Sequence, residues 1–294
     1  MSLCSAILLG LYDAAKKHSV RDNAVPPVLL AAVVCAAILW CIGLFAGRTI
    51  PVLSGTFVDI APLSWSTHFA IACKSAIVAA SWTLAYFALR ELPLSIAAPL
   101  RATGPIWTIA LATTFLGERP APLQWLGVLV VLAAFFRFST IGKWEGIEFR
   151  RSRAVGWMIA ATLVGALSGL YDKILLQRVG LRAAELQCWF SIDLVPMMLP
   201  GWWYWWRYDR VKRPFAWRRS IPLIAILLLI ADYAYFTALE DPAAMVALVS
   251  PIRRVAVMVS LGIGWWHFGE ANGRAKLLAA MALLVGIGMI AAGA

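Results

Sequence analysis

Long apolar runs, separated by short polar stretches, cover almost the whole sequence. Turn and charge signals divide them into ten candidate spans of about 20 residues, the length that a helix needs to cross the hydrocarbon core of a bilayer. These spans are residues 2–20, 26–47, 66–89, 94–116, 121–139, 154–177, 184–206, 220–239, 243–266 and 274–292. The pattern predicts an all-α polytopic membrane protein with ten transmembrane helices.

Composition supports a membrane protein and argues against other classes. Apolar residues make up 62% of the 294 residues and charged residues 14%, whereas a soluble domain is near half apolar and a quarter charged. The net charge of +11 would favour nucleic acid in a soluble protein, but Lys and Arg cluster in short loops such as 150–153 and 210–219. We therefore expect a lipid bilayer and no nucleic acid as partner. The five cysteines lack metal-site spacing, so no metal or cofactor is predicted.

The sequence contains an internal repeat. Gly-Leu-Tyr-Asp occurs at 10–13 and 169–172, Ala-Tyr-Phe at 85–87 and 234–236, Pro-Leu-Arg at 99–101 against Pro-Ile-Arg at 251–253, and Gly-Glu at 117–118 and 269–270. The matches keep their order and nearly their spacing, which predicts two five-helix halves, residues 1–142 (the N-half) and 143–294 (the C-half). Because five is odd, the second half enters the membrane inverted, an arrangement typical of secondary transporters.

The two five-span halves, the Gly-Glu pairs that close the fourth and ninth spans and the prolines within those spans resemble the EamA group of the drug/metabolite transporter superfamily. The resemblance covers essentially the whole chain, through its arrangement rather than any one motif. It implies ten helices around a central cavity, lined largely by the fourth and ninth helices, and transport of small metabolites such as amino acids, nucleobases or amines. The Tyr-Asp and Pro-x-Arg elements are not general features of that family, so its substrates do not transfer directly.

Charged residues inside the spans are the candidate functional groups. An ionisable side chain costs roughly 2.5–3.5 kcal/mol at the centre of a membrane helix, so such groups usually face the interior and pair or hydrate there. The embedded candidates are Asp13, Lys74, Arg101, Asp172, Lys173, Asp193, Asp232, Arg253 and Arg254. Apart from Arg101 and Arg253, which are also candidates for substrate binding, they are predicted to serve in proton coupling or in buried ion pairs.

Arg101 and Arg253 occupy matching positions, each two residues after a proline. Proline removes a backbone hydrogen bond and can open a carbonyl towards a cavity. A guanidinium stays charged and binds carboxylate or phosphate through two parallel hydrogen bonds. One interpretation is that both arginines bind an anionic group of the substrate. The equal alternative is that each forms a buried ion pair with Asp13 or Asp172 of its own half, and a mixed case is also open.

Charges found in one half alone point to substrate or proton handling. These are Lys74 in the N-half and Asp193 and Asp232 in the C-half. A poorly solvated cavity favours the neutral form of a carboxyl, which can then take up and release a proton. Asp232, which Tyr233 and Tyr235 follow closely, is the preferred proton-coupling candidate; the alternative is a permanent pair with Lys74 or Arg254.

Aromatic residues deep in the spans are candidates for substrate contact, because ring faces attract apolar or cationic groups. Packing in the helix interior is the more frequent role for such side chains. The candidate substrate-binding aromatic residues are Tyr12, Tyr86, Tyr171, Tyr235, Trp82 and Trp107.

The favoured function is a secondary active transporter that moves a small polar metabolite, such as an amino acid or organic anion, across the cytoplasmic membrane by alternating access. Proton coupling is part of this hypothesis. Alternatives are translocation of a nucleotide- or lipid-linked sugar, and a non-transport scaffold or sensor. HExxH and GxSxG motifs are absent, so an enzyme is not predicted.

Orientation and oligomeric state stay open. Most Lys and Arg, with Lys16, Lys17 and Lys276 counted among the loop residues, follow odd-numbered spans. The positive-inside rule then places both termini outside the cell. The family resemblance instead implies cytoplasmic termini.

Overall fold

The structure, a computed structural model, describes residues 2–53, 55–116, 119–240 and 254–293. Regular secondary structure in this part of the chain is helical throughout. The helices are α1 (Ser2–Val20), α2 (Val25–Thr49), α3 (Trp65–Glu91), α4 (Leu94–Ala102), α5 (Gly104–Leu116), α6 (Pro122–Trp144), α7 (Arg153–Lys173), α8 (Ala183–Tyr204), α9 (Ser220–Glu240), α10 (Ala256–Trp266) and α11 (Gly273–Ala292). Single π-helical turns extend α7 over Ile174–Arg178 and α8 over Trp205–Asp209.

Six of these helices are long and apolar enough to cross a membrane: α2, α3, α6, α7 with its π-helical turn, α9 and α11. The chain is therefore a multi-pass membrane protein, as the apolar runs predict. Two of the remaining predicted spans are not described as one continuous helix. The fourth is divided between α4 and α5, and the ninth is described only from residue 254 onwards.

The break between α4 and α5 lies at Thr103 and follows from the local sequence. Pro105 has no N–H, so it cannot donate to the carbonyl of Arg101, four residues earlier. Thr103 instead donates its hydroxyl to the carbonyl of Leu100 at 2.7 Å. Pro105 thus opens a carbonyl at Arg101, whereas Pro99, the proline on which the prediction rests, lies inside α4.

Helices of the two halves pack mainly against each other. The most extensive helix–helix contacts join α6 with α11, α3 with α7, α1 with α9, and α2 with α8. Glycines allow the closest approach. A Cβ atom on Gly127 of α6 would lie 2.7 Å from the carbonyl oxygen of Gly286 on α11, which is closer than a side chain tolerates. Small residues serve this purpose in membrane helices, because lipid provides no hydrophobic drive for helix association.

Polar side chains satisfy helix ends on the face where α1, α3 and α6 end and α4 begins. The Lys17 ammonium donates to the carbonyl oxygens of Leu89 at 2.9 Å and Leu92 at 2.6 Å. The Glu270 carboxylate accepts from the backbone N–H of Leu94 at 2.6 Å and of Ser95 at 2.8 Å. An anion at a helix N-terminus satisfies free N–H groups and interacts favourably with the helix dipole, so Glu270 caps α4 across the two halves.

Lys276 extends this polar face. Its ammonium lies 2.7 Å from the Glu145 carboxylate and 2.7 Å from the Ser95 hydroxyl, and its side chain is fully buried. The assignment of Lys16, Lys17 and Lys276 to loops is therefore wrong. All three lie within helices and are buried, because carboxylates or helix carbonyls accept from each ammonium. We refer to Lys17, Glu270, Lys276 and their partners as the closed face.

Candidate functional site

A cavity of about 240 Å³ lies between α1, α3, α4 and α5 of the N-half and α7, α8, α9 and α10 of the C-half. Small residues of α7, including Gly165 and Gly169, form part of its wall. The described charged residues that line it come from both halves: Asp13, Lys16, Lys74, Arg101, Asp172, Asp232 and Arg254.

Asp13 forms the centre of one charged cluster. Its Oδ1 atom lies 2.6 Å from Lys16 Nζ and 2.6 Å from Arg101 Nη1, so two cations share one carboxylate oxygen. The Lys16 side chain is 2% exposed, whereas that of Arg101 is 34% exposed. Arg101 therefore remains accessible from the cavity while Lys16 is enclosed. The Arg101–Asp13 contact of the ion-pair alternative is thus present in the structure, while substrate binding by Arg101 stays a prediction.

Aromatic rings surround Lys16. Its ammonium lies 4.1 Å from the centre of the Tyr12 ring and 5.5 Å from that of Tyr86. Both rings are buried, and cation–π attraction of this kind is strongest when water is excluded. Lys16 also lies within electrostatic reach of Asp232 on α9.

A second charged pair joins the two halves. Lys74 on α3 donates to Oδ1 of Asp172 on α7, and both side chains are buried. The Lys74 ammonium also lies 4.6 Å from the Phe190 ring and 5.1 Å from the Phe236 ring. Lys74 thus forms a salt bridge with Asp172 that links the two halves.

Arg254 binds at the break between α4 and α5. Its Nη1 donates to the carbonyl oxygen of Arg101 at 3.2 Å, the group that Pro105 leaves without its helical partner. A Cβ atom on Gly104 would lie 2.8 Å from Nη2 of Arg254, so the glycine makes room for the guanidinium. The helix break and the C-half arginine therefore complement each other.

Most predicted site residues that the structure describes line this cavity. They are Tyr12, Asp13, Lys74, Trp82, Tyr86, Arg101, Asp172, Asp232, Tyr235 and Arg254. Arg253, the predicted partner of Arg101 in substrate binding, lies outside the described residues, as do Gly117 and Glu118.

Four described candidates lie elsewhere, because helix periodicity turns them away from the cavity. Asp172 faces the interior, so Lys173, about 100° further round the helix, is exposed, and Tyr171 on the other side is half-buried. Trp107 is likewise outside the lining, although its neighbour Thr108 is part of it. Asp193 lies on α8 within electrostatic reach of His68.

Lys16 is the charged residue of the described lining that the sequence prediction did not place there. The signal was available, since Lys16 follows Asp13 by three residues and side chains at that spacing meet on one face of a helix. Within the described residues, no group of three or more His, Cys, Asp or Glu side chains could hold a metal ion.

Comparison with known proteins agrees with this architecture. A solved crystal structure of a protein superposes with a TM-score of 0.60 at 18% identity, covering 99% of this chain and 95% of that chain. That likeness shows a shared fold. No curated protein matches the sequence. Residues 1–140 match the EamA-like transporter family, which belongs to the drug/metabolite transporter superfamily, so the predicted resemblance is confirmed over this part of the chain.

Proposed function

We propose that the chain is a secondary active transporter that moves a small polar metabolite across the cell membrane through the central cavity. The observation that carries the proposal is the cavity itself, which is lined by buried charges from both halves. Ionisable groups inside membrane helices are costly unless they serve a pathway or a partner. The family of residues 1–140 supports transport over a sensor or scaffold.

Helix packing supports alternating access of two inverted repeats. In the predicted repeat, α1 corresponds to α7 and α3 corresponds to α9. If corresponding helices are exchanged, the contact of α1 with α9 becomes the contact of α7 with α3, and both contacts are present. The contacts of α2 with α8 and of α6 with α11 exchange into themselves. This symmetry is expected when two similar halves rock about a shared site. In the present state the closed face would block one side, and its polar contacts would separate when the cavity opens there.

Cavity size favours a small metabolite over a nucleotide- or lipid-linked sugar. The volume of about 240 Å³ lies below the range of about 300–1,000 Å³ found for pockets that take drug-sized ligands. The charged lining further favours a polar solute over an apolar one. Transport rather than retention would follow from weak, reversible binding at this site.

The proposal can be tested by filling the cavity. A Cβ atom on Gly169 would meet only the Tyr235 hydroxyl, at 3.9 Å, whereas one on Gly156 of the same helix meets nothing and faces outwards. Reconstituted protein would be screened for uptake of amino acids, organic anions and amines, with and without a pH gradient. We expect Gly169→Leu to lower uptake at least about tenfold, since a tenfold change corresponds to only 1.4 kcal/mol, and Gly156→Leu to leave it unchanged. Equal uptake by both variants would remove the cavity from the pathway.

Proton coupling is the finer part of the proposal and rests on Asp232. This carboxyl lines the cavity and lies within electrostatic reach of Lys16 and Tyr12, so a solute in the site would lie close to it. Asp232→Asn is expected to abolish uptake driven by a pH gradient while substrate exchange continues. Unchanged pH dependence in the variant would exclude Asp232 from coupling.

A further inference from the structure

The described charges of the cavity do not balance. Four cations line it (Lys16, Lys74, Arg101, Arg254) against three carboxylates (Asp13, Asp172, Asp232), which leaves one positive charge in excess. An excess charge costs free energy where the surrounding helices and lipid lower the local dielectric, even beside water in a cavity. A ligand that supplies one negative charge would remove this cost, whereas a cation would increase it.

Two of these cations share one carboxylate at the Asp13 cluster. Lys74 is matched by Asp172, whereas Lys16 and Arg101 contact the same oxygen of Asp13. Hydrogen bonds from charged donors are roughly twice as strong as neutral ones, and a guanidinium has five N–H donors. Arg101, which is 34% exposed, therefore has donor groups available to a ligand in the cavity.

Lys16 also occupies the place where a cationic ligand would be expected. A quaternary or primary amine in an aromatic site binds over a ring face. The ammonium of Lys16 already lies 4.1 Å from the centre of the Tyr12 ring and 5.5 Å from the Tyr86 ring. A cationic ligand at these rings would meet a like charge in place of an open ring face, so this corner of the cavity disfavours amines.

We propose that the cavity selects small organic anions and that Lys16 is the residue that sets this charge preference. The inference rests on the proposed function only for the location of the site. Arg101 contacts the anion directly, while Lys16 neutralises Asp13 and so keeps the guanidinium available. Without Lys16, Asp13 would compensate Arg101 alone, and the described lining would carry no net charge. Specificity would arise as much from rejection of cations as from attraction of anions.

Ligands of one size and different charge test this preference. Purified protein would be titrated with benzoate, benzyl alcohol and benzylamine, which share an aromatic ring, and binding followed by the shift in thermal unfolding. We expect benzoate to stabilise the protein most, and Lys16→Met to weaken benzoate binding at least about tenfold, the equivalent of one lost charge-assisted contact. Lys16→Arg, which keeps the charge, should retain the preference.

Two controls separate charge from stability. Lys17→Met removes the same charge one residue away, from an ammonium held by the carbonyls of Leu89 and Leu92, and should leave the preference for benzoate intact. Asp13→Asn with Lys16→Met removes one charge of each sign and should restore benzoate binding relative to Lys16→Met alone. This double variant also tests whether loss of binding reflects misfolding.

The outcomes distinguish the two proposals. No stabilisation by benzoate, a stronger effect of benzylamine, or unchanged benzoate binding in Lys16→Met would overturn the anion preference. Benzoate binding that depends on Lys16, in a protein that transports no solute in liposomes, would keep the anion site and contradict the proposed transport function.

Discussion

The tetrapeptide Gly-Leu-Tyr-Asp occurs once on α1 and once on α7, and its two copies have different surroundings. Asp13 contacts two cations of its own half, whereas Asp172 contacts Lys74 of the other half. Tyr12 is buried beside the cavity, and Tyr171 is half-buried. A repeated motif therefore fixes which groups are present, and the packing of each copy against the opposite half decides what they contact.

The glycines of the two copies show where the cavity opens. A Cβ atom on Gly10 would lie 2.4 Å from Cβ of Val259 on α10, so α1 and α10 are in close contact there. A Cβ atom on Gly169 would lie 3.9 Å from its nearest described neighbour, the Tyr235 hydroxyl. The same position is a helix contact in one half and a cavity wall in the other. Such an asymmetry fits the proposed alternating access, in which any one state opens the site to one side.

The largest difference in stability is expected at the charged pairs. Lys74→Met leaves buried Asp172 without its lysine and should lower the free energy of unfolding by about 3–5 kcal/mol, the usual cost of breaking a buried pair. Lys74→Met with Asp172→Asn should cost clearly less, because no charge is left behind. Unfolding in a mixed-detergent titration measures both. A double variant as unstable as the single one would show that the pair acts through packing alone.

Substitution of the two glycines should separate a helix contact from a cavity wall. Gly10→Ala forces a methyl group into Val259 and should cost about 1–3 kcal/mol, as overpacked cores do. Gly169→Ala has room and should be neutral or slightly stabilising, since alanine favours helix over glycine by about 1 kcal/mol. The same titration applies. Similar losses in both variants would contradict an open wall at Gly169.

The smallest effect concerns the closed face, which lies away from the cavity. Glu270→Gln keeps one acceptor for the N-terminus of α4 but loses the charge, and should cost about 0.5–2 kcal/mol, the range of helix-capping contributions. Glu91→Gln, at an exposed pair with Arg90, is the control and should change stability by less than about 1 kcal/mol. If Glu270→Gln proves as mild as the control, its contacts do not hold this face together.

The Arg101–Asp13 pair could be predicted because both members belong to the repeat and lie in one half. The Lys74–Asp172 pair could not, since its members are 98 residues apart and meet only when α3 packs against α7. The break at Thr103 was foreseeable in kind, as proline interrupts helices. The binding of Arg254 at that break was not, because it depends on how α10 of one half approaches α4 of the other.

Lys16 and Lys276 show where the charge pattern alone misled. Both lie near helix ends in the sequence, where Lys and Arg usually reach the membrane surface. Each instead is buried and has a carboxylate within 2.7 Å, Asp13 for Lys16 and Glu145 for Lys276. Hydropathy records the cost of burying a charge but not the partner that offsets it, so these residues were assigned to loops.

The most direct test of the shared cavity is whether water reaches both of its walls through one space. On a background without the five native cysteines, Thr108→Cys in the N-half wall and Ala166→Cys in the C-half wall would be treated with a small membrane-impermeant thiol reagent. Gly156→Cys, which faces outwards, is the control. We predict that both cavity positions react, that the control does not, and that a bulky label on either position blocks labelling of the other. Independent labelling of the two walls, or no labelling of either, would contradict a single water-filled cavity between the halves.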